Sequence, residues 1–227
     1  MAAPRYSPGR EAFLELAKEH TLVPVWREVL GDLETPVGAY RKLGNEPNTF
    51  LLESVEHGER WGRYSFIGVD PFLVMKSRDG TVTFDGDAPA EAKSAPDPLT
   101  AVERALDAFT APALPGLPPL HGGAVGYVGY DTVRYIEKLP QTTTDDLGLP
   151  EIWLLFTGRL LVFDHLRQRL TVISNVAIGD DPAAQYDEAV ERAEALVARL
   201  ASTPTQGKPV SPTLEADVGD VGSNVGR

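Results

Sequence analysis

The tetrapeptide Ser77-Arg78-Asp79-Gly80 separates two runs, residues 72–76 and 81–84, that are rich in apolar and β-branched side chains. An Asp-Gly pair suits the tight turn that folds such runs back antiparallel, so a hairpin is predicted here. Residues 160–163 and 170–176 flank a polar turn and predict a second hairpin. Further strands are predicted at 22–26, 48–55 and 64–67. Pro24 cannot donate a ladder hydrogen bond, which pushes the first of these towards a sheet edge. The segments between 48 and 84 together read as an antiparallel meander.

Helical signals lie between these strands. Ser7-Pro8 ahead of Phe13, Leu14 and Ala17 reads as a capped helix start. Thr35-Pro36 reads as a second start, with Gly44 closing that helix in the left-handed conformation. Asp97-Pro98 opens a third helix, whose apolar residues Leu99, Val102, Leu106 and Phe109 recur at helical spacing. The clearest helix covers 183–200, with a stripe of Tyr186, Val190, Ala193, Val197 and Leu200. Residues 87–98 read as a linker or exposed loop, and the prolines of 111–120 exclude a regular helix. Strands and helices do not alternate as βαβ units, so the expected class is α+β, with antiparallel sheets and hairpins packed against helices. Residues 1–200 are expected to form one domain. Residues 201–227, where apolar periodicity ends, are expected to be a linker.

The 227 residues carry 33 acidic against 21 basic side chains, a formal net charge of −12. No Lys/Arg cluster offers the basic footprint that nucleic acid requires, and anionic membrane surfaces are disfavoured for the same reason. There is no cysteine, which removes thiolate nucleophiles, disulfides and Cys-ligated zinc. No secretory signal and no membrane-length apolar run is visible, so a soluble cytoplasmic protein is expected.

Few residues advertise chemistry. His20, His57, His121 and His165 are not at metal-ligand spacing on a helix. Asp164-His165 adjoins a hairpin turn and reads as a solvated turn. The glycines of 122–129 lack the dinucleotide spacing, and read instead as a strand whose bare positions let another backbone or ring approach, with Tyr127 and Tyr130 as packing residues. Glu53-Ser54 ends an otherwise apolar strand, on which Leu52 and Ser54 share one face and Glu53 lies on the other with Leu51. Two readings stay open. Both groups sit at a solvated strand end, with Arg63 as an ion partner, or Glu53 accepts from a ligand ammonium beside an apolar wall.

Four segments resemble the N-terminal half of anthranilate synthase component I. They are Glu34-Thr35-Pro36-Val37-Gly38-Ala39-Tyr40-Arg41-Lys42-Leu43, Phe50-Leu51-Leu52-Glu53-Ser54, Arg63-Tyr64-Ser65-Phe66-Ile67-Gly68, and Gly122-Gly123-Ala124-Val125-Gly126-Tyr127-Val128-Gly129-Tyr130-Asp131. The resemblance spans about residues 20 to 200. It implies a lyase that turns chorismate, with ammonia or glutamine, into anthranilate and pyruvate. It also implies Mg²⁺ and a glutamine amidotransferase subunit as partner. In the family, the Leu-Leu-Glu-Ser string lines the site of L-tryptophan, the feedback inhibitor. That role carries over to Leu52, Glu53 and Ser54, with Arg63 or Tyr64 joining from the following strand. The glycine-rich segment is implied to be core architecture near that site. The family's chorismate and Mg²⁺ residues lie in a second half without a counterpart here, so the expectation is a catalytically incomplete regulatory half. The alternatives are aminodeoxychorismate synthase component I and a free-standing, non-catalytic binding module.

Overall fold

A computed structural model describes residues 6–31, 34–44, 46–53, 62–140 and 145–202. Its strands are β1 (Leu22–Leu30), β2 (Phe50–Glu53), β3 (Tyr64–Val69), β4 (Leu73–Arg78), β5 (Thr81–Gly86), β6 (Ala124–Val128), β7 (Ile152–Phe156), β8 (Arg159–Asp164) and β9 (Arg169–Ala177). Its α-helices are α1 (Arg10–Leu16), α2 (Pro36–Leu43), α3 (Ala90–Lys93), α4 (Pro98–Asp107) and α5 (Pro182–Ala201), and a 3₁₀ helix covers Tyr130–Tyr135. The strands form two sheets, in the orders β1-β9-β8-β3-β2 and β5-β4-β7-β6. Every neighbouring pair is antiparallel. The architecture is the expected α+β one.

Side-chain alternation gives the five-stranded sheet two different faces. Ile67, Val69, Leu161, Phe163 and Val172 lie on the face covered by α1, α2 and α5, in the same cluster as Phe13, Leu43, Ala193 and Leu196. On the opposite face Leu160, Val162 and Ile173 pack with Trp26, Phe50, Tyr64, Phe66 and Leu117. The four-stranded sheet has its own core, in which Leu73, Met75, Ile152 and Phe156 meet Ala101 and Ala105 of α4.

Both predicted hairpins form. Asp79 and Gly80 take φ of 50° and 74°, the left-handed region that a tight hairpin turn demands. Pro24 lies on β1, which is an edge strand as expected. The meander, however, is split between sheets. β2 and β3 belong to the five-stranded sheet, whereas β4 and β5 belong to the other. The chain leaves the first sheet at Asp70-Pro71, and β7–β8 crosses beside it at Thr157-Gly158. A Cβ on Gly158 would fall 1.9 Å from the Asp70 carbonyl oxygen, so only glycine lets these crossovers touch.

Several local expectations are corrected. Ser7 precedes α1 and forms a two-way backbone bridge with Trp26, at 2.8 Å each way, while Gly9 occupies the N-cap position. Thr35 does cap α2, accepting from Gly38 N at 3.0 Å, but Gly44 has φ −85° and is not left-handed. Residues 87–98 include the short helix α3. In α4 the fully buried residues are Pro98, Ala101 and Ala105, and Leu106 is exposed. Of the expected linker, 201–227, Ala201 still belongs to α5 and residues 203–227 lie outside the described residues.

Candidate functional site

The β2–β3 hairpin positions the residues singled out by the sequence. Its register sets Leu52 opposite Phe66 and Glu53 opposite Ser65. β2 is the outermost strand of its sheet among the described residues, and both Leu52 and Glu53 are exposed there. Alternation places Leu52 on the face shared by Phe50, Tyr64 and Phe66, with the Tyr64 and Phe66 rings 5.9 Å apart. Glu53 lies on the helix-covered face with Leu51 and Ser65. Ser54 lies outside the described residues.

Arg63 does not serve Glu53. Its Nε donates to Asp164 Oδ1 at 3.1 Å and its Nη2 to Oδ2 at 2.8 Å, a two-point ion pair. Its guanidinium also lies 4.7 Å from the Tyr64 ring centroid, a cation–π contact. The ion partner expected for Glu53 is therefore engaged by Asp164, because β8 pairs with β3 and its register sets Asp164 opposite Tyr64, next to Arg63. Asp164 also closes the β8–β9 turn, its Oδ1 accepting from Leu166 N at 3.2 Å and Arg167 N at 3.1 Å. The hydrogen bonds from Arg63, and then those backbone donors, hold its carboxyl below the ordinary carboxylate range. The solvated-turn reading of Asp164 and His165 thus needs amendment. His165 Nε2 lies 2.8 Å from the buried Ser65 hydroxyl, and its ring stacks on Phe163.

Around this pair a shallow cavity of about 240 Å³ opens on the Tyr64 side of the sheet. Arg63, Arg167 and Arg169 line it together with Glu28, Asp164 and Leu117. Arg169 pairs with Glu28 across β9 and β1. Three guanidinium groups against two carboxylates make this corner locally cationic in an acidic chain, a setting suited to a carboxylate. Sequence reasoning missed Glu28, Arg167 and Arg169. The signal was the basic alternation Arg167-Gln168-Arg169 beside a hairpin turn, which becomes meaningful only once β8 is paired with β3.

The glycine-rich segment is a strand, as expected, but in the other sheet from β2. A Cβ on Gly126 would lie 1.9 Å from Trp153 O, so its bareness serves the approach of β6 to β7. Tyr127 and Tyr130 are not packed; they are 42% and 88% exposed. Among the described residues no group of three or more His, Asp or Glu side chains could hold a metal ion. No described helix is long and apolar enough to cross a membrane.

The molecule is of the α+β class, and one of its sheets carries an edge hairpin with an apolar-aromatic face and a flanking cationic corner. Comparison with known proteins places it more narrowly. A family model described as chorismate binding enzyme matches residues 48–220, and the chain belongs to that family. Anthranilate synthase component 1 of Mycolicibacterium smegmatis is 44% identical over 204 residues, covering 88% of this chain and 39% of the relative. The Mycobacterium tuberculosis protein of the same name is 42% identical over 214 residues, covering 91% and 40%. That of Pseudomonas aeruginosa is 40% identical over 207 residues, covering 88% and 41%. The chain spans about two fifths of the length of the curated relatives it matches. Among solved structures, anthranilate synthase component I from Streptococcus pneumoniae is similar with a TM-score of 0.48 and 24% identity, over 74% of this chain and 36% of that one.

Proposed function

We propose that this chain is the N-terminal, regulatory portion of an anthranilate synthase component I. The whole enzyme would convert chorismate, with ammonia or glutamine, into anthranilate and pyruvate, with a glutamine amidotransferase subunit as nitrogen donor. Within it, Leu52, Glu53, Ser54, Arg63 and Tyr64 would form this portion's share of the L-tryptophan feedback site. The observation that carries this reading is the β2–β3 end itself. It offers an exposed carboxylate at Glu53 on the helix-covered face and, on the other face, the apolar and aromatic Leu52, Tyr64 and Phe66 beside the Arg63 guanidinium, which Asp164 engages. An amino acid with an indole side chain needs those three features: an acceptor for its ammonium, a donor for its carboxylate and an apolar wall. The similarity to relatives named anthranilate synthase component 1 supports the enzyme assignment over aminodeoxychorismate synthase.

In this reading the reacting centre and its Mg²⁺ belong to the rest of the enzyme. Among the described residues no group of three or more His, Asp or Glu side chains could hold the ion. The 227-residue chain, incubated with chorismate, Mg²⁺ and ammonia and followed by anthranilate fluorescence, is expected to give no product. Restored turnover on supplying the remaining three fifths of a full-length relative supports the reading. Anthranilate formation by the chain alone overturns it, since it would put the catalytic groups within these residues.

A further inference from the structure

The two crossovers between the sheets border an open cavity of about 330 Å³, lined by residues of β8, β9 and α5, the Asp70-Pro71-Phe72 turn and Asp87. It lies at the end of β3 away from Glu53, since Asp70 follows Val69 whereas Glu53 pairs with Ser65. Arg159 and Ser174 are directly opposed across β8 and β9 and face α5 side by side. Ser174 is only 3% exposed, lines the cavity, and its hydroxyl has no hydrogen-bond partner among the described residues. Arg159 Nε is likewise buried without a hydrogen bond, whereas Asp70 Oδ2 is met by the Arg159 guanidinium in an ion pair. Two buried polar atoms without a partner among the described residues, Arg159 Nε and Ser174 Oγ, therefore border one opening. Folded proteins rarely leave such groups unmet, so their convergence points to a ligand that meets them.

The neighbouring amides are already committed. Asn175 Nδ2 donates to His121 O and Thr157 O, and Gln185 joins Ala177 O to Gly179 N. What remains is two unmet donors, Arg159 Nε and the Ser174 hydroxyl, beside three carboxylates: Asp70 and Glu188, paired with Arg159 and Arg192, and the exposed Asp87. A simple anion would face the carboxylates, and a simple cation would face Arg159 and Arg192. A molecule carrying both charges satisfies both sets. Burial depresses the Arg159 pKa, and Arg192 and Arg199 act in the same direction against Asp70, so a nearby carboxylate would be stabilising.

We infer that this cavity binds a small zwitterion of the α-amino-acid type, its carboxylate on Arg159 Nε and Ser174 Oγ and its ammonium on Asp70 and Asp87. The inference is independent of the β2–β3 reading, and the variants keep the two apart. Each of the twenty proteinogenic L-amino acids is titrated calorimetrically into the 227-residue chain, and any binder is repeated as its N-acetyl and methyl-ester forms. At least one is expected to bind, and blocking either charge is expected to weaken it by about tenfold or more. Ser174→Ala is expected to weaken it about tenfold without lowering the melting temperature of the free chain, because it removes an unmet buried group. Arg159→Lys, which keeps the charge and removes the Nε donor, is expected to do the same, while Glu53→Ala retains binding. Absence of binding by all twenty overturns the inference. So does a binder that ignores Ser174 and Arg159 and is lost with Glu53.

Discussion

Asp164 joins three structural tasks in one carboxylate. It pairs with Arg63, closes the β8–β9 turn through two backbone amides, and thereby fixes the guanidinium beside Tyr64. Its pKa is lowered in the folded chain, chiefly by Arg63. A carboxyl with a depressed folded pKa contributes stability that is present above its unfolded value and lost as pH falls through the folded one. The melting temperature is therefore expected to fall as pH drops below about 4, the ordinary carboxylate value. Asp164→Asn is expected to flatten that fall and to cost about 1 kcal/mol at neutral pH. Asp97, also depressed by its hydrogen bonds to Thr100, keeps some acid sensitivity in the variant. An unchanged acid profile in scanning calorimetry would mean that the Arg63–Asp164 pair does not hold in solution. At this scale the sequence was only partly legible. Glu53 and Ser54 stood out because a carboxylate and a hydroxyl ended an apolar strand, and the opposite faces of Leu52 and Glu53 followed from alternation alone. The engagement of Arg63 by Asp164, a hundred residues away, depended on strand pairing that no local pattern specifies.

Elements were legible where a single periodicity governed them. The stripe of α5 places Tyr186, Ala193 and Leu200 in the core, and the Asp79-Gly80 turn follows from its dipeptide. β7 escaped notice because Ile152-Trp153-Leu154-Leu155-Phe156 is a continuous apolar run without alternation, as befits a strand between β4 and β6. The start of α1 was misplaced because Ser7 resembles a cap, yet its backbone is drawn into a bridge with Trp26. Of the glycines read as close-approach positions, Gly126 in β6 and Gly129 do meet a neighbouring backbone whereas Gly123 meets nothing, and Gly126 gives the sharpest check. Gly126→Ala forces a Cβ towards the Trp153 carbonyl oxygen and is expected to destabilise the chain by about 1–3 kcal/mol in urea denaturation. A denaturation midpoint equal to that of the unsubstituted chain would show that β6 does not sit this close to β7.

At the scale of the whole molecule, the two sheets share a junction of two crossovers, which touch where the Asp70 carbonyl meets the bare Gly158. That division into sheets was not legible, since hairpin signals specify local partners and not the sheet to which each hairpin belongs. Family membership was legible, because four short segments carried it in order along the chain. Among the described residues β2 lies at the edge of its sheet, with Leu52 and Glu53 exposed there. The most direct measurement grafts this chain in place of the matching stretch of the Mycolicibacterium smegmatis enzyme and records tryptophan inhibition of anthranilate formation. With Glu53→Ala or Ser54→Ala, the tryptophan concentration for half-inhibition is expected to rise about tenfold or more at nearly unchanged kcat, as expected for loss of a charge-assisted contact. Inhibition curves that coincide with the unsubstituted graft, or a kcat that collapses while inhibition persists, would contradict the regulatory assignment.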